Sequence, residues 1–289
     1  MEEKIKQKRK NNYMNKRHFT SLISQYFGKF ANREFPFWLQ KIINQTYVTL
    51  MGLNMSEFHK PSRYKSLNAL FTRELREERK FSLDGEDFIS PCDSYISETG
   101  TITEDYALQI KGMRYKCADF IGSEFSEEEK AIVADGTFIN HYLSPKDYHR
   151  YHIPTNLKVL KTVHIPGKFY PVNIPSLKKR VNLFIENERV VILCEATNGK
   201  RFYIILVSAL NVGVMQVSFE PLIQTNASIT SPQTYIFEDM YLNKGDDFGC
   251  FEMGSTIILL TEKDMLDVKI DAGDNVKFAQ TIAKIKYKD

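Results

Sequence analysis

The residue types best suited to chemistry fall in three short stretches. In Leu143-Ser-Pro-Lys-Asp-Tyr-His149-Arg-Tyr-His152-Ile-Pro154, two histidines stand three residues apart, bracketed by Pro145 and Pro154. An imidazole titrates near neutral pH, so either ring could move a proton or bind a metal. On a helical turn the pair would share one face, whereas in a strand the rings would point apart; the spacing leaves both open. Asp93, in Ser90-Pro91-Cys92-Asp93-Ser94, reads first as a turn former and second as a carboxylate partner for a histidine. Gly254-Ser255-Thr256 leads into the apolar run 257–260. It is not a G-x-S-x-G nucleophile elbow, because residue 252 is Glu, and no Gly-Lys-Ser/Thr marks a phosphate loop.

The elements that must position these residues divide the chain in two. At 289 residues, 43% hydrophobic and 26% charged, it can bury a sizeable core. A net charge of +3 is too small to imply nucleic acid as a partner. Four separated cysteines, Cys92, Cys117, Cys194 and Cys250, form no CxxC pair, which excludes a cysteine zinc cage and fits a reducing compartment. The first twenty residues carry Lys4, Lys6, Lys8, Arg9, Lys10, Lys16 and Arg17 against Glu2 and Glu3. No apolar segment and cleavage site follow, so export is not expected. Phe19, Leu22, Ile23, Tyr26, Phe27 and Phe30, then Phe35, Trp38, Leu39, Ile42, Ile43 and Tyr47, recur at helical spacing, with Pro36 suited to an opening turn. Lys29, Arg33 and Lys41 interrupt both segments, so neither spans a bilayer. Two aromatic-rich helices behind a basic arm fit a membrane surface, and they fit equally well a helix layer on the protein's own core.

A third helical stretch is expected around Leu67, Leu70, Phe71 and Leu75, and strands dominate thereafter. Val181–Ile185, Val190–Cys194, Phe202–Val207, Leu157–Ile165, Val212–Val217, Thr256–Leu260, Val268–Ile270 and Thr281–Ile285 are the candidate strands, with Asn198-Gly199 as a hairpin turn. The fold class is α+β, with N-terminal amphipathic helices followed by a β-rich catalytic body.

Taken together, Ser-Pro-x-Asp, then Tyr-His-Arg-x-His-x-Pro, then Gly-Ser-Thr a hundred residues later resemble the bacterial phosphatidylserine decarboxylases. The flanks agree: Phe71-Thr72-Arg73-Glu74, Pro166-Gly167 through Pro171-Val172-Asn173, Asn182-Leu183-Phe184, Asn187-Glu188-Arg189-Val190 and Lys244-Gly245 before Gly249-x-Phe251. The resemblance covers roughly residues 60–287. Ser94 departs from a frequent glycine, and Met253 from a frequent leucine.

The resemblance implies a lyase that makes its own covalent cofactor. Ser255 would attack the Gly254 carbonyl and cut the chain into residues 1–254 and 255–289, leaving a pyruvoyl group in place of Ser255. His152 would act as the base, with Asp93 orienting its ring. Phosphatidylserine would join the pyruvoyl ketone as a Schiff base and lose CO2 to give phosphatidylethanolamine, with His149 returning the proton. No metal is required. The partners implied are the lipid substrate, the membrane surface and the chain's own two fragments as a heterodimer that could pair further. Residues 1–60 become a basic arm with membrane-docking helices, residues 61–289 the decarboxylase domain, and the location the cytoplasmic side of the cell membrane, held peripherally. Two other readings differ in class. One is a metal-dependent hydrolase using His149, His152 and a carboxylate such as Asp93, and the other is a non-catalytic membrane adaptor or carrier module, hinted at by Val268–Gln280, which lacks the lysine such carriers modify.

Overall fold

The computed structural model of the chain describes residues 19–103, 106–109, 113–170, 183–209, 214–223, 225, 229–252 and 255–287. The basic arm, the Pro171–Asn173 stretch, Asn182, Val212, and Met253-Gly254 lie outside the described residues.

Both aromatic-rich segments are helical, as α1 (Phe19–Asn32) and α2 (Phe37–Met51). Pro36 precedes α2, and Gly52 ends it in the left-handed region, its N–H on the Val48 carbonyl. α2 turns polar residues inward. Asn44, fully buried, donates to the Pro61 and Tyr64 carbonyls at 2.9 Å each, and Gln40 Nε2 donates to Asn44 Oδ1 at 2.7 Å. Ile43, Tyr47 and Val48 pack beside them on Ala31, Leu67 and Leu70. Phe37, Trp38, Ile42 and Leu50 of the same helix are exposed, so it carries apolar residues toward solvent as well as toward the core. The third helix, α3 (Leu67–Phe71), is capped by the Ser66 side chain and stops short of Leu75.

The body is built from strands. β1 (Asp87–Ile89), β2 (Ser94–Thr101), β3 (Tyr106–Gln109), β4 (Met113–Lys116), β5 (Thr137–Leu143), β6 (Arg150–His152), β7 (Leu157–Ile165) and β8 (Arg189–Ala196) come first. They are followed by β9 (Arg201–Val207), β10 (Gln233–Leu242), β11 (Asp247–Cys250), β12 (Ser255–Thr261), β13 (Leu266–Val268), β14 (Asn275–Val276) and β15 (Thr281–Ile285). Eight make one antiparallel sheet in the order β10-β7-β8-β9-β12-β5-β2-β14. β15 lies between β1 and β13 in a second sheet, and β11 pairs with β6. Side chains alternate across the large sheet and feed two cores. Ile139, Leu143, Leu206, Ile257 and Leu259 face one; Phe138, Ile205, Val207, Ile258 and Leu260 face the other. β12 is buried along its whole length, which is why it reads as a continuous apolar run. The architecture is α+β.

Most expected strands are present, and the Asn198-Gly199 turn joins β8 to β9 with Gly199 at φ 75°. Three differ. Residues 183–186 form a helical turn, not a strand, from Val214 to Val217 the chain makes one bridge, Met215 to Phe251, and β13 shares only Val268 with the expected Val268–Ile270.

Candidate active site

The histidine segment is held from both ends. Where the chain leaves β5, Asp147 Oδ2 accepts from the N–H and the hydroxyl of Ser144, each at 2.7 Å. Arg73, just past α3 and buried, donates to the Lys146 and Asp147 carbonyls at 3.1 Å each and lies over the Phe58 ring. At the far end β6 pairs with β11, and the His152 N–H donates to the Pro91 carbonyl at 2.8 Å. Between these anchors the chain is extended, so the two histidines face different neighbours.

His149 is fully buried, its ring 3.9 Å from that of Phe71 and its Nδ1 2.9 Å from the Asp147 carbonyl. A carbonyl can only accept, so Nδ1 carries the hydrogen and Nε2 the lone pair. Burial pushes its pKa down to about 3, which keeps the ring neutral. Nε2 has no hydrogen-bond partner among the described residues.

His152 lies flat on Phe278, with ring centroids 3.5 Å apart and planes 11° from parallel. Its Nδ1 donates to the Gly245 carbonyl at 3.0 Å, leaving Nε2 to accept from the Tyr148 hydroxyl at 3.1 Å. Burial lowers its pKa to about 4. Gly245 has φ 90°, and a Cβ there would come within 2.4 Å of the Phe81 ring, so glycine is needed to aim that carbonyl.

Asp93 does not hold the His152 ring; the Gly245 carbonyl occupies the place the resemblance assigned to it. Both Asp93 oxygens are taken. Oδ1 accepts from Arg79 Nη1 at 2.5 Å and from the Phe278 N–H at 2.9 Å, and Oδ2 accepts from Arg79 Nη2 at 3.0 Å. Arg79 also forks onto Glu57, through Nε at 2.8 Å and Nη2 at 3.0 Å. Asp93 therefore touches His152 at one remove, by fixing the backbone of the residue whose ring supports the imidazole.

Ser255 opens β12 opposite Leu143 of β5. It is fully buried, and its Oγ has no hydrogen-bond partner among the described residues. Neither His149 nor His152 bonds to it, and Gly254 lies outside the described residues. Beside His152 a cleft of about 390 Å³ opens between Glu78, Arg79, Tyr148, Lys244 and Asp247.

The structure thus brings Asp93 and His152 into one scaffold and buries His149 and Ser255 in the core. A hydrolase built on a His149/His152 metal pair needs both rings on one side, and the extended chain turns them apart; among the described residues no three His, Cys, Asp or Glu converge as a metal site. Sequence reasoning missed Arg79, Tyr148, Gly245 and Phe278 as supporting groups. Arg79 sits in the charged run Arg76-Glu-Glu-Arg79-Lys80, which reads as a solvated surface, and Phe278 carried no signal beyond the carrier-like stretch around it.

Comparison with known proteins agrees with the motif order. The family model described as phosphatidylserine decarboxylase matches residues 67–284. A protein of Helicobacter pylori named phosphatidylserine decarboxylase proenzyme is 43% identical over 267 residues, covering 92% of this chain and 97% of its own. Its namesake in Campylobacter jejuni is 41% identical over 269 residues, covering 92% and 99%. Another of the same name, in Coxiella burnetii, is 34% identical over 247 residues, covering 84% and 86%.

Proposed function

The chain belongs to the phosphatidylserine decarboxylase family, and we propose that it converts phosphatidylserine to phosphatidylethanolamine and CO2 with a pyruvoyl group generated from its own Ser255. The observation that carries this reading is the Ser255 hydroxyl, buried and without a partner among the described residues, at the head of a central strand and directly after a glycine in the sequence. A buried hydroxyl left unpaired is a standing cost. The same place suits a ketone, which has no donor to satisfy.

Making the group requires the chain's own atoms and one water. Ser255 Oγ bonds to the Gly254 carbonyl carbon as the Gly254–Ser255 C–N bond breaks, giving an ester and a free amine. Loss of the Ser255 Cα proton then expels the Gly254 carboxylate and leaves a dehydroalanine, whose tautomer takes up water and releases ammonia. Glycine at 254 presents no Cβ to the attacking oxygen. The base assigned to Ser255 is His152, whose fold-enforced neutrality leaves the Nε2 lone pair available, with the Tyr148 hydroxyl its present donor. Asp93 and Arg79 serve it as scaffold. Once formed, the pyruvoyl group supplies a conjugated carbonyl that takes up the electron pair left by CO2. His149, neutral and with no partner on Nε2 among the described residues, is assigned the proton handed to the product carbon; it must first accept that proton before it can donate it.

The outward face of α2 is assigned to the membrane. Phe37, Trp38, Ile42 and Leu50 are exposed together while Gln40 and Asn44 are buried, so the helix is amphipathic toward something outside the fold. A diacyl lipid stays in the bilayer, and its enzyme must come to it. We place residues 1–60 on the cytoplasmic membrane surface and residues 61–289 as the decarboxylase. The two fragments would stay together, because β12 lies between β5 and β9.

Intact-mass measurement tests the reading. The mature protein is expected as two fragments, residues 1–254 and 255–289, the smaller one blocked at its first residue and reactive to hydroxylamine. Ser255→Ala should remain one chain, His152→Ala should cut poorly, and His149→Ala should cut yet turn over poorly. An active wild-type protein that stays uncut would refute it.

A further inference from the structure

A further buried histidine lies on the strand beside Ser255 and has no part in the chemistry above. His141 of β5 is fully buried, and its Nδ1 is 2.8 Å from the hydroxyl of Ser94 on β2. Leu143 is paired with Ser255, and His141 with Ile257. Alternate residues share a face, and Ile139, Leu143, Ile257 and Leu259 all belong to one core. His141 and Ser255 are therefore diagonal neighbours on the same face of adjacent strands. Such Cβ atoms are roughly 7–8 Å apart or less, a span that long and aromatic side chains bridge. Ser94 fixes the lean of the ring. It lies one residue beyond the Tyr95–Tyr142 pair, level with Leu143 and so with Ser255. A ring whose Nδ1 meets Ser94 tips along the sheet toward the level of Ser255, with Nδ1 on the β2 side and its other edge on the β12 side.

Both groups are left with an open valence. His141 Nε2 and Ser255 Oγ are buried and without a hydrogen-bond partner among the described residues. Burial pushes the His141 pKa down to about 3, so the ring is neutral and carries a single hydrogen. With its hydrogen on Nε2, the ring accepts the Ser94 hydroxyl at Nδ1. A buried N–H without an acceptor is rare and costly.

We infer that His141 is the hydrogen-bond donor to the carbonyl made from Ser255, its Nε2–H gaining an acceptor only after the chain is cut and then polarising that carbonyl toward the incoming amine. The inference rests on the pyruvoyl reading. Ser94 is the positioning residue, and the serine that departs from the family's frequent glycine thereby has a task.

The test compares full-length wild-type protein with His141→Leu, His141→Gln and Ser94→Ala. Cutting is read by intact mass, electrophilicity by the rate at which hydroxylamine captures the small fragment, and hydrogen bonding by the infrared carbonyl stretch after labelling with 13C-serine. All four proteins should cut. His141→Leu should be captured about tenfold more slowly, the factor that one ordinary hydrogen bond provides, with its carbonyl stretch at higher frequency. His141→Gln, which keeps an amide N–H, should recover most of the rate, and Ser94→Ala should fall between. Wild-type capture and stretch in His141→Leu would overturn the inference, as would a folded His141→Leu that fails to cut. Should His141→Leu not fold, Ser94→Ala decides, and wild-type values there overturn it. A wild-type protein with no reactive carbonyl would instead sink the pyruvoyl reading.

Discussion

Trp38 is the chain's single tryptophan, and the docking reading makes it a reporter of its own insertion. It is 65% exposed on the outward face of α2, beside Phe37 at 72%. An aromatic side chain has about 150–250 Å² to bury, so the pair offers about 200–350 Å² to a bilayer. At about 25 cal/mol per Å², full insertion would contribute about 5–9 kcal/mol, and half of that area about 3–4 kcal/mol. The lower figure already corresponds to a partition coefficient changed by about 100-fold to 1,000-fold. Adding anionic vesicles should shift the Trp38 emission to shorter wavelength, and the shift should persist in high salt, which screens basic residues and leaves apolar burial in place. The double variant Phe37→Ser/Trp38→Ser should lose at least about 100-fold in vesicle co-sedimentation, while Trp38→Phe should bind nearly as wild type. Protein that co-sediments with its Trp38 emission unshifted, or a double variant that binds normally, would show that this face is not what enters the lipid.

Two further outcomes concern the site. Arg79→Met leaves Asp93 and Glu57 without their forked partner in a partly buried position and should cost about 3–5 kcal/mol in denaturant unfolding; an unchanged midpoint would show that the Arg79 cluster is not holding the fold. Stability should also fall with acid. His141, His149 and His152 stay neutral in the fold, with pKa values of about 3, 3 and 4, against about 6.5 in an unfolded chain. The unfolded state binds more protons across that interval, so their contribution is complete above about pH 6.5 and is lost as pH falls toward about 4 and then 3, at about 1.4 kcal/mol per pH unit for each ring. Denaturant titrations from about pH 7 down to about pH 5 check the slope, and a flat profile would mean the rings are not shielded from water.

What the sequence made legible was local chemistry and pattern. Leu157–Ile165 and Thr281–Ile285 coincide with β7 and β15 because an apolar run bounded by turn residues is the whole signal a buried strand needs. β10 was missed: it is an edge strand whose residues alternate between half-buried and exposed, and Glu238 and Asp239 make it resemble a loop. Residues 183–186 form a helical turn despite an apolar composition suited to a strand, since such short runs do not distinguish the two. At the site, His149, His152, Asp93 and Ser255 were legible as reactive types. Their partners were not, because Arg79, Gly245 and Phe278 act through a fork, a carbonyl and a ring face brought in from distant parts of the chain. The separation of the two histidines likewise depended on backbone shape, which the three-residue spacing left undecided.

The place of β12 has a consequence for the life of the molecule. Its seven residues are inserted between two long neighbours, and the following stretch threads β15 between β1 and β13. While the peptide bond before Ser255 is intact, that insertion is an intramolecular search with a high effective concentration. For a chain cut there, the same search after melting would be an encounter between two separate molecules, one of them a short peptide with an apolar centre prone to aggregate. Heat damage would then be one-way for the mature enzyme and reversible for an uncut variant, so durability in service would be set by how slowly the sheet opens rather than by an equilibrium.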